Sequence, residues 1–263
     1  MDIARIISSS FKYPFRNIKK LPILFVLFIL IAIIPIGKLL NNDYLVILGV
    51  IAFFTFILVV PGYLLSIVKV GSKGSSILPS FNLINNIYDS IRVLLLRVGY
   101  MIVPAVAFLI VLSTLGPASI DFLVNFQIHS FLATVGFILL IILITYIVFE
   151  ILLFFAKARL AYFNSLSEAL KIHKVIKDIR NIGIFNIIKW IIVMLILVTV
   201  ISFVASFVMT IPYVGFLIYV CIVIPIIESI ANYSLGLLYS NIAENDDDLH
   251  RFEREIELLK YEN

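Results

Sequence analysis

The stretch LPILFVLFILIAIIPIGKLLNNDYLVILGVIAFFTFILVVPGYLLSIV, Leu21–Val68, holds two long apolar runs split by Asn41, Asn42 and Asp43. The first run, Leu21–Leu40, contains one charge, Lys38; the second, Tyr44–Val68, contains none. A helix needs about 20 apolar residues to cross a bilayer. Each run is long enough, and the polar triplet between them suits a tight turn. The pair therefore reads as a helical hairpin in lipid. The first span follows some twenty residues of patterned sequence and ends without a small-residue cleavage site, so it is expected to stay as an anchor.

Four more runs have the same character: Val98–Leu115, Phe131–Phe155, Ile187–Met209 and Phe216–Leu238. Backbone groups in lipid must bond within their own segment, so runs rich in Ile, Val and Phe are still expected to be helices. Across 263 residues the chain is 62% hydrophobic and 14% charged, with a mean hydropathy of +1.15. Soluble domains are about half apolar and a quarter charged. The expectation is an all-α integral membrane bundle of six transmembrane helices. Residues 1–241 form one membrane domain, and 242–263 form a short charged helix or tail. The lone Cys221 leaves no intrachain disulfide.

Basic residues fix the expected threading. Of the 20 Lys and Arg residues, all but Lys38 fall in the N-terminal segment, the loops after spans two and four, and the tail. Cationic loops stay cytoplasmic. Both termini are therefore expected inside the cell, in a multi-pass protein of the cell membrane. The surplus of +4 is a topology signal and a candidate contact for anionic lipid; it gives no reason to expect nucleic acid. Protein partners and oligomeric state have no signature in the sequence.

Three cytoplasmic segments carry helical periodicity. Ile3, Ile6, Ile7 and Phe11 share a face. So do Ile84, Ile87, Ile91 and Leu94, with Asn82, Asn85, Asp89 and Arg92 opposite. Leu166, Ala169, Ile172, Ile176 and Ile179 form a third set, with Lys171, Lys174 and Asp178 opposite, and Ser165 with Glu168 fits a capping box. Each precedes an outgoing span, which suggests a threefold repeat of amphipathic helix plus hairpin. Such helices are expected along the cytoplasmic face.

Chemistry has few candidates. His129, His173, His250 and Cys221 fall in separate parts of the threading, and no metal-ligand or nucleophile–base spacing occurs. No catalytic residue, cofactor or metal is expected. Ionisable groups inside spans are sites by default. Glu150 is expected near the cytoplasmic interface, paired with Arg97, Lys157 or Arg159. Glu228 is expected deeper, three residues after Pro225, with Asn232, Gly236 and Ser240 continuing its face. Thr199, on a small-residue stripe with Ser202, Ser206 and Thr210, is its candidate partner by depth. The carboxyl is either a structural acid bonded to other helices or a proton or cation site.

The stretches FKYPF (Phe11–Phe15), PGYLLSIVKVGSKGSSILPSF (Pro61–Phe81) and NYSLGLLYSN (Asn232–Asn241) resemble an uncharacterised, mainly archaeal membrane-protein family. It is catalogued as a domain of unknown function, number four thousand and thirteen. The resemblance implies a polytopic membrane protein and no particular activity. A non-enzymatic scaffold or membrane-interaction component is the first expectation. The alternative is a small transporter or channel-like protein using Glu228 and Asn232.

Overall fold

The computed structural model describes residues 2–125, 128–212 and 214–243, with side chains described outside 114–134 and 242–243. Ten α-helices follow in order: α1 Ile3–Arg16, α2 Pro22–Leu39, α3 Asp43–Ser72, α4 Leu83–Asn125, α5 Ile128–Phe163, α6 Leu166–Leu170, α7 Ile172–Ile182, α8 Ile184–Val208, α9 Val214–Ile218 and α10 Ile224–Ala243. A π-helical turn, Tyr219–Val223, joins α9 to α10. Six helical stretches are long and apolar enough to span a membrane: Pro22–Leu39, Asp43–Ser72, Leu83–Ser113, Val135–Phe163, Ile184–Val208 and Val214–Asn241. The protein is a multi-pass membrane protein in contact with lipid. Of the expected tail, 242–263, the first two residues end α10 and 244–263 lie outside the described residues.

The basic segments gather at one end of the bundle. The Asn17 amide donates to the Ser76 carbonyl and accepts from the Leu78 amide, both at 2.8 Å. Lys20 reaches the Leu78 carbonyl at 3.1 Å. Arg92 on α4 bonds the Asn164 side chain at 2.9 Å and its carbonyl as well. Tyr100 donates to the Ala169 carbonyl at 2.9 Å. The N-terminal segment, the α3–α4 loop and the α5–α6 turn therefore form one layer, here termed the basic end.

α3 is the central helix, packed against α2, α4, α5 and α10. Glycines make its crossings close. A Cβ on Gly236 would stand 2.4 Å from the Val68 carbonyl oxygen, and one on Gly71 would stand 2.6 Å from that of Tyr233. A Cβ on Gly62 would lie 1.9 Å from the Asn86 carbonyl oxygen. Small residues let helix backbones approach where no hydrophobic force drives helices together in lipid. Gly236, which the sequence places in a polar stripe, thus serves the α3–α10 contact.

The three amphipathic segments take three forms. α1 buries Ile6, Ile7, Ser10 and Tyr13 and stacks Tyr13 on Tyr233 of α10 at 3.9 Å. The second is not a separate interfacial helix. Residues 83–94 run straight into the third span, because no breaker interrupts Leu83–Val98 and Asp89 pairs with Arg92 one turn on. The resulting helix of 43 residues is about 64 Å long, twice what the hydrocarbon requires. The third is split at Lys171 into α6 and α7. Ser165 caps α6 by accepting from the Glu168 amide.

Polarity in two of these segments is turned inward. On α4, Asn86, Asp89, Ser90 and Arg92 are buried, while Ile84 is 79% exposed and Tyr88 and Ile91 also face out. On α7, Asp178 is buried with Val175 and Ile182, while Ile172 and Ile176 are exposed. In water this would be inside out. Facing lipid, it is the arrangement in which polar groups find partners and isoleucines meet acyl chains.

Candidate functional site

Three polar clusters lie between the helices. The first is built around Glu228. Pro225 has no amide hydrogen, and its ring crowds the carbonyl one turn back. The π-helical turn directly before it widens the helix at that carbonyl, with the Ile224 amide bonding the Tyr219 carbonyl. Such turns relieve an interrupted hydrogen-bond ladder and often mark functional sites. Glu228 follows within one turn.

The Asn232 side-chain amide donates to Glu228 Oε2 at 3.0 Å and to the Glu228 carbonyl at 2.8 Å. Its oxygen accepts from Lys157 Nζ of α5 at 2.6 Å. Asn232 is 3% exposed; Lys157 and Glu228 are half-buried. An amide dipole therefore stands between an ammonium and a carboxylate, oriented favourably to both.

Thr199 is placed elsewhere. It is exposed on α8, and the Glu228 side-chain hydrogen bond runs to Asn232. The stripe is not a packing face: Ser206 and Thr210 are exposed and bond their own helix at Phe203 and Phe207. α8 meets α10 nearer the basic end, where Trp190 Nε1 donates to Ser234 Oγ at 3.1 Å. Position along the chain carries no information on which way Thr199 points. Glu150, 33% exposed, accepts from Tyr146 at 2.6 Å and from Arg97 at 3.4 Å.

The second cluster surrounds Arg159, 2% exposed on α5. Its Nη1 donates to both Asp178 oxygens at 3.0 and 2.8 Å, and Nε donates to the Glu168 carbonyl at 3.1 Å. Tyr239 of α10 donates to Asp178 Oδ2 at 2.8 Å. The guanidinium lies 4.5 Å from the Phe163 ring centroid. Glu168 also holds Lys171 at 2.5 Å, Lys174 at 3.1 Å and Arg159 Nη2 at 3.3 Å. Partial burial pushes the Glu168 carboxyl up, but these three cations outweigh it and hold it at about 2. The third cluster joins α3 to α4: Lys69 bonds Asp89 at 2.6 Å, Arg92 bonds Asp89 at 3.0 Å, and the Gly62 amide donates to Ser90 at 2.7 Å.

In the sequence Asp89, Arg92 and Asp178 stand opposite the isoleucine faces, and Arg159 is a basic loop residue and a candidate partner for Glu150; the structure pairs Arg159 with Asp178 and Glu168 instead. One signal was available: Arg159 is flanked by Ala156, Ala158 and Ala161. Alanines beside an arginine mark a closely packed neighbourhood, and all three are buried. His173 is exposed, and the side chains of His129 and His250 lie outside those described. Among the described residues no three metal-binding side chains cluster.

Fold and clusters together define a polytopic helical membrane protein with charged groups buried between its spans. The family described as "Protein of unknown function (DUF4013)" matches residues 44–213, and the chain belongs to it. No curated protein and no solved structure matches the chain. The match includes Lys69, Asp89, Arg92, Lys157, Arg159, Glu168 and Asp178; α1, α2 and α10, with Glu228, Asn232 and Tyr239, lie outside it.

The lowered Glu168 carboxyl sets a pH dependence. Its stabilisation is fully present above the ordinary carboxylate range near 4.5 and is lost as pH falls through about 2. Amide hydrogen exchange is expected to rise in α6 and α7 across that window before the spans respond. In Glu168→Gln the two helices are expected to exchange faster already at neutral pH.

Proposed function

We propose that the protein is a non-enzymatic component of the cell membrane that passes protons or small cations through the Lys157–Asn232–Glu228 chain. The observation that carries this reading is the ammonium–amide–carboxylate line between α5 and α10, immediately past a broken helix. Transporters build ion sites at interrupted helices with polar groups within the bilayer. Glu228 lies about 20 Å from the Asn241 end of its span. A cation arriving at Glu228 takes the place of Lys157 as its counter-ion while the Lys157 ammonium gives up its proton, so that the site stays neutral; in proton passage the same proton moves from the ammonium to the carboxylate and back. Release of that cation restores the neutral pair. Two charges that balance each other make such an exchange affordable in a low-dielectric layer.

The reading includes orientation. The basic end faces the cytoplasm, both termini are inside, and this face meets anionic headgroups. The alternative, a scaffold or membrane-interaction component, is favoured by the exposed apolar row of α8, including Ile192, Ile196, Phe203 and Phe207. It shares the same threading.

Two experiments test the reading. In cells carrying Cys221→Ala and Ser75→Cys, an impermeant thiol reagent is expected to label Ser75→Cys only after the membrane is opened. Labelling from outside contradicts the orientation. In sealed vesicles with trapped pH and sodium dyes, the purified protein is expected to support flux under an imposed potential. Glu228→Gln should keep its helical spectrum and fall to the level of empty vesicles. No flux from the unmodified protein, or full flux from Glu228→Gln, defeats the proposal and favours the scaffold.

A further inference from the structure

Between α1 and α8 the basic end opens into a cleft of about 700 Å³. Ile3, Ile7 and Phe11 line it from α1; Val193 and Leu197 line it from α8, with Lys189 on the same stripe. Both sets follow steps of four, so two ridges about 12 Å long face each other across the gap. α1 spends its packing on α10, and α8 turns Trp190 rather than Lys189 inward. The cleft is what remains between them.

Lys189 decides what fills it. It is exposed, five residues into an apolar span. None of the ion pairs among the described residues uses it. A lysine there stretches its apolar stem along the helix and sends its ammonium toward the headgroups. The lysines and arginines of the described spans that are turned inward, Lys69, Arg92, Lys157 and Arg159, each have an acidic or amide partner in the protein. Lys189 has none, and it stands beside an apolar slot open to the bilayer. One chemistry satisfies both features together: an acyl or alkyl chain in the slot with an anionic phosphate headgroup on the ammonium.

We propose that the α1–α8 cleft is a binding site for an anionic phospholipid, with Lys189 holding its phosphate. The lipid completes the packing between an amphipathic N-terminal helix and the span that it otherwise leaves uncovered. The site is separate from Lys157 and Glu228, so it stands whether or not the protein carries ions.

Trp190 is the only tryptophan in the chain. It follows Lys189 and packs on Phe154 at 5.6 Å, so its fluorescence reports on the neighbourhood of the slot. The full chain is placed in phosphatidylcholine vesicles containing a minor fraction of acyl-brominated lipid, either phosphatidylglycerol or phosphatidylcholine. Brominated phosphatidylglycerol is expected to quench Trp190 more strongly at equal fraction, with the difference shrinking in high salt. Lys189→Gln is expected to abolish the difference with an unchanged helical spectrum. Ala4→Phe, which fills the slot from an exposed position, should weaken quenching by brominated phosphatidylglycerol while leaving Lys189 in place. Equal quenching of the unmodified protein by both lipids overturns the proposal, as expected if a second copy or no specific lipid occupies the cleft. A preference that survives Lys189→Gln overturns it too.

Discussion

The guanidinium of Arg159 is the constraint on which the basic end depends. A charge removed from water and left unpaired costs several kcal/mol, and Arg159 is almost wholly enclosed. Its five donors point to fixed places. Asp178 must come to them from α7, the Glu168 carbonyl from α6, and Tyr239 from α10 to share Asp178. Four helices are thereby held by one side chain. α7 cannot lie anywhere else on the surface without leaving Asp178 or Arg159 unsatisfied. The direction of its apolar face follows: with Asp178 inward, Ile172 and Ile176 must meet lipid.

The same logic recurs on a smaller scale. Asp89 is shared by Lys69 and Arg92, which sets the rotation of the first turns of α4 against α3. The Asp89 arrangement needs the α3 and α4 backbones close, and Gly62 provides that; Gly71 and Gly236 do the same for α3 and α10. The Lys157–Asn232–Glu228 line differs in one respect. It is balanced in charge but held by a single amide, and it sits beside a π-helical turn rather than within a regular one.

The spans and their number were legible in the sequence because hydropathy over twenty residues depends only on composition. The meeting of basic segments at one end was legible for the same reason: it follows from an even number of crossings between them. Glu228 and Asn232 could be paired because both lie on one helix, four residues apart. Their third partner, Lys157, could not be found, because helix rotation about its own axis is set by tertiary packing. Thr199, exposed on α8, was out of reach of the sequence for the same reason. The amphipathic segments misled in a more instructive way. Periodicity located helices at 83–94 and 166–182 but only part of each face: Ala169 is buried while Ile172 and Ile176 are exposed, and Asn82 and Asn85 are exposed while Asp89 and Arg92 are buried. Which face turns inward depends on the solvent, and beside lipid the polar face is the one that needs partners. Residues 82–94 also lack the break that would have made them a helix of their own.

A double-mutant cycle on Arg159 and Asp178 tests the account most directly, with reversible unfolding followed in mixed micelles. Arg159→Met and Asp178→Leu are each expected to cost about 3–5 kcal/mol, since each leaves the other charge buried alone. The double variant is expected to recover most of that loss, giving a coupling of several kcal/mol and restoring protection of α7. Two single variants that each cost under about 1 kcal/mol and add without coupling would contradict the claim that this pair organises the basic end.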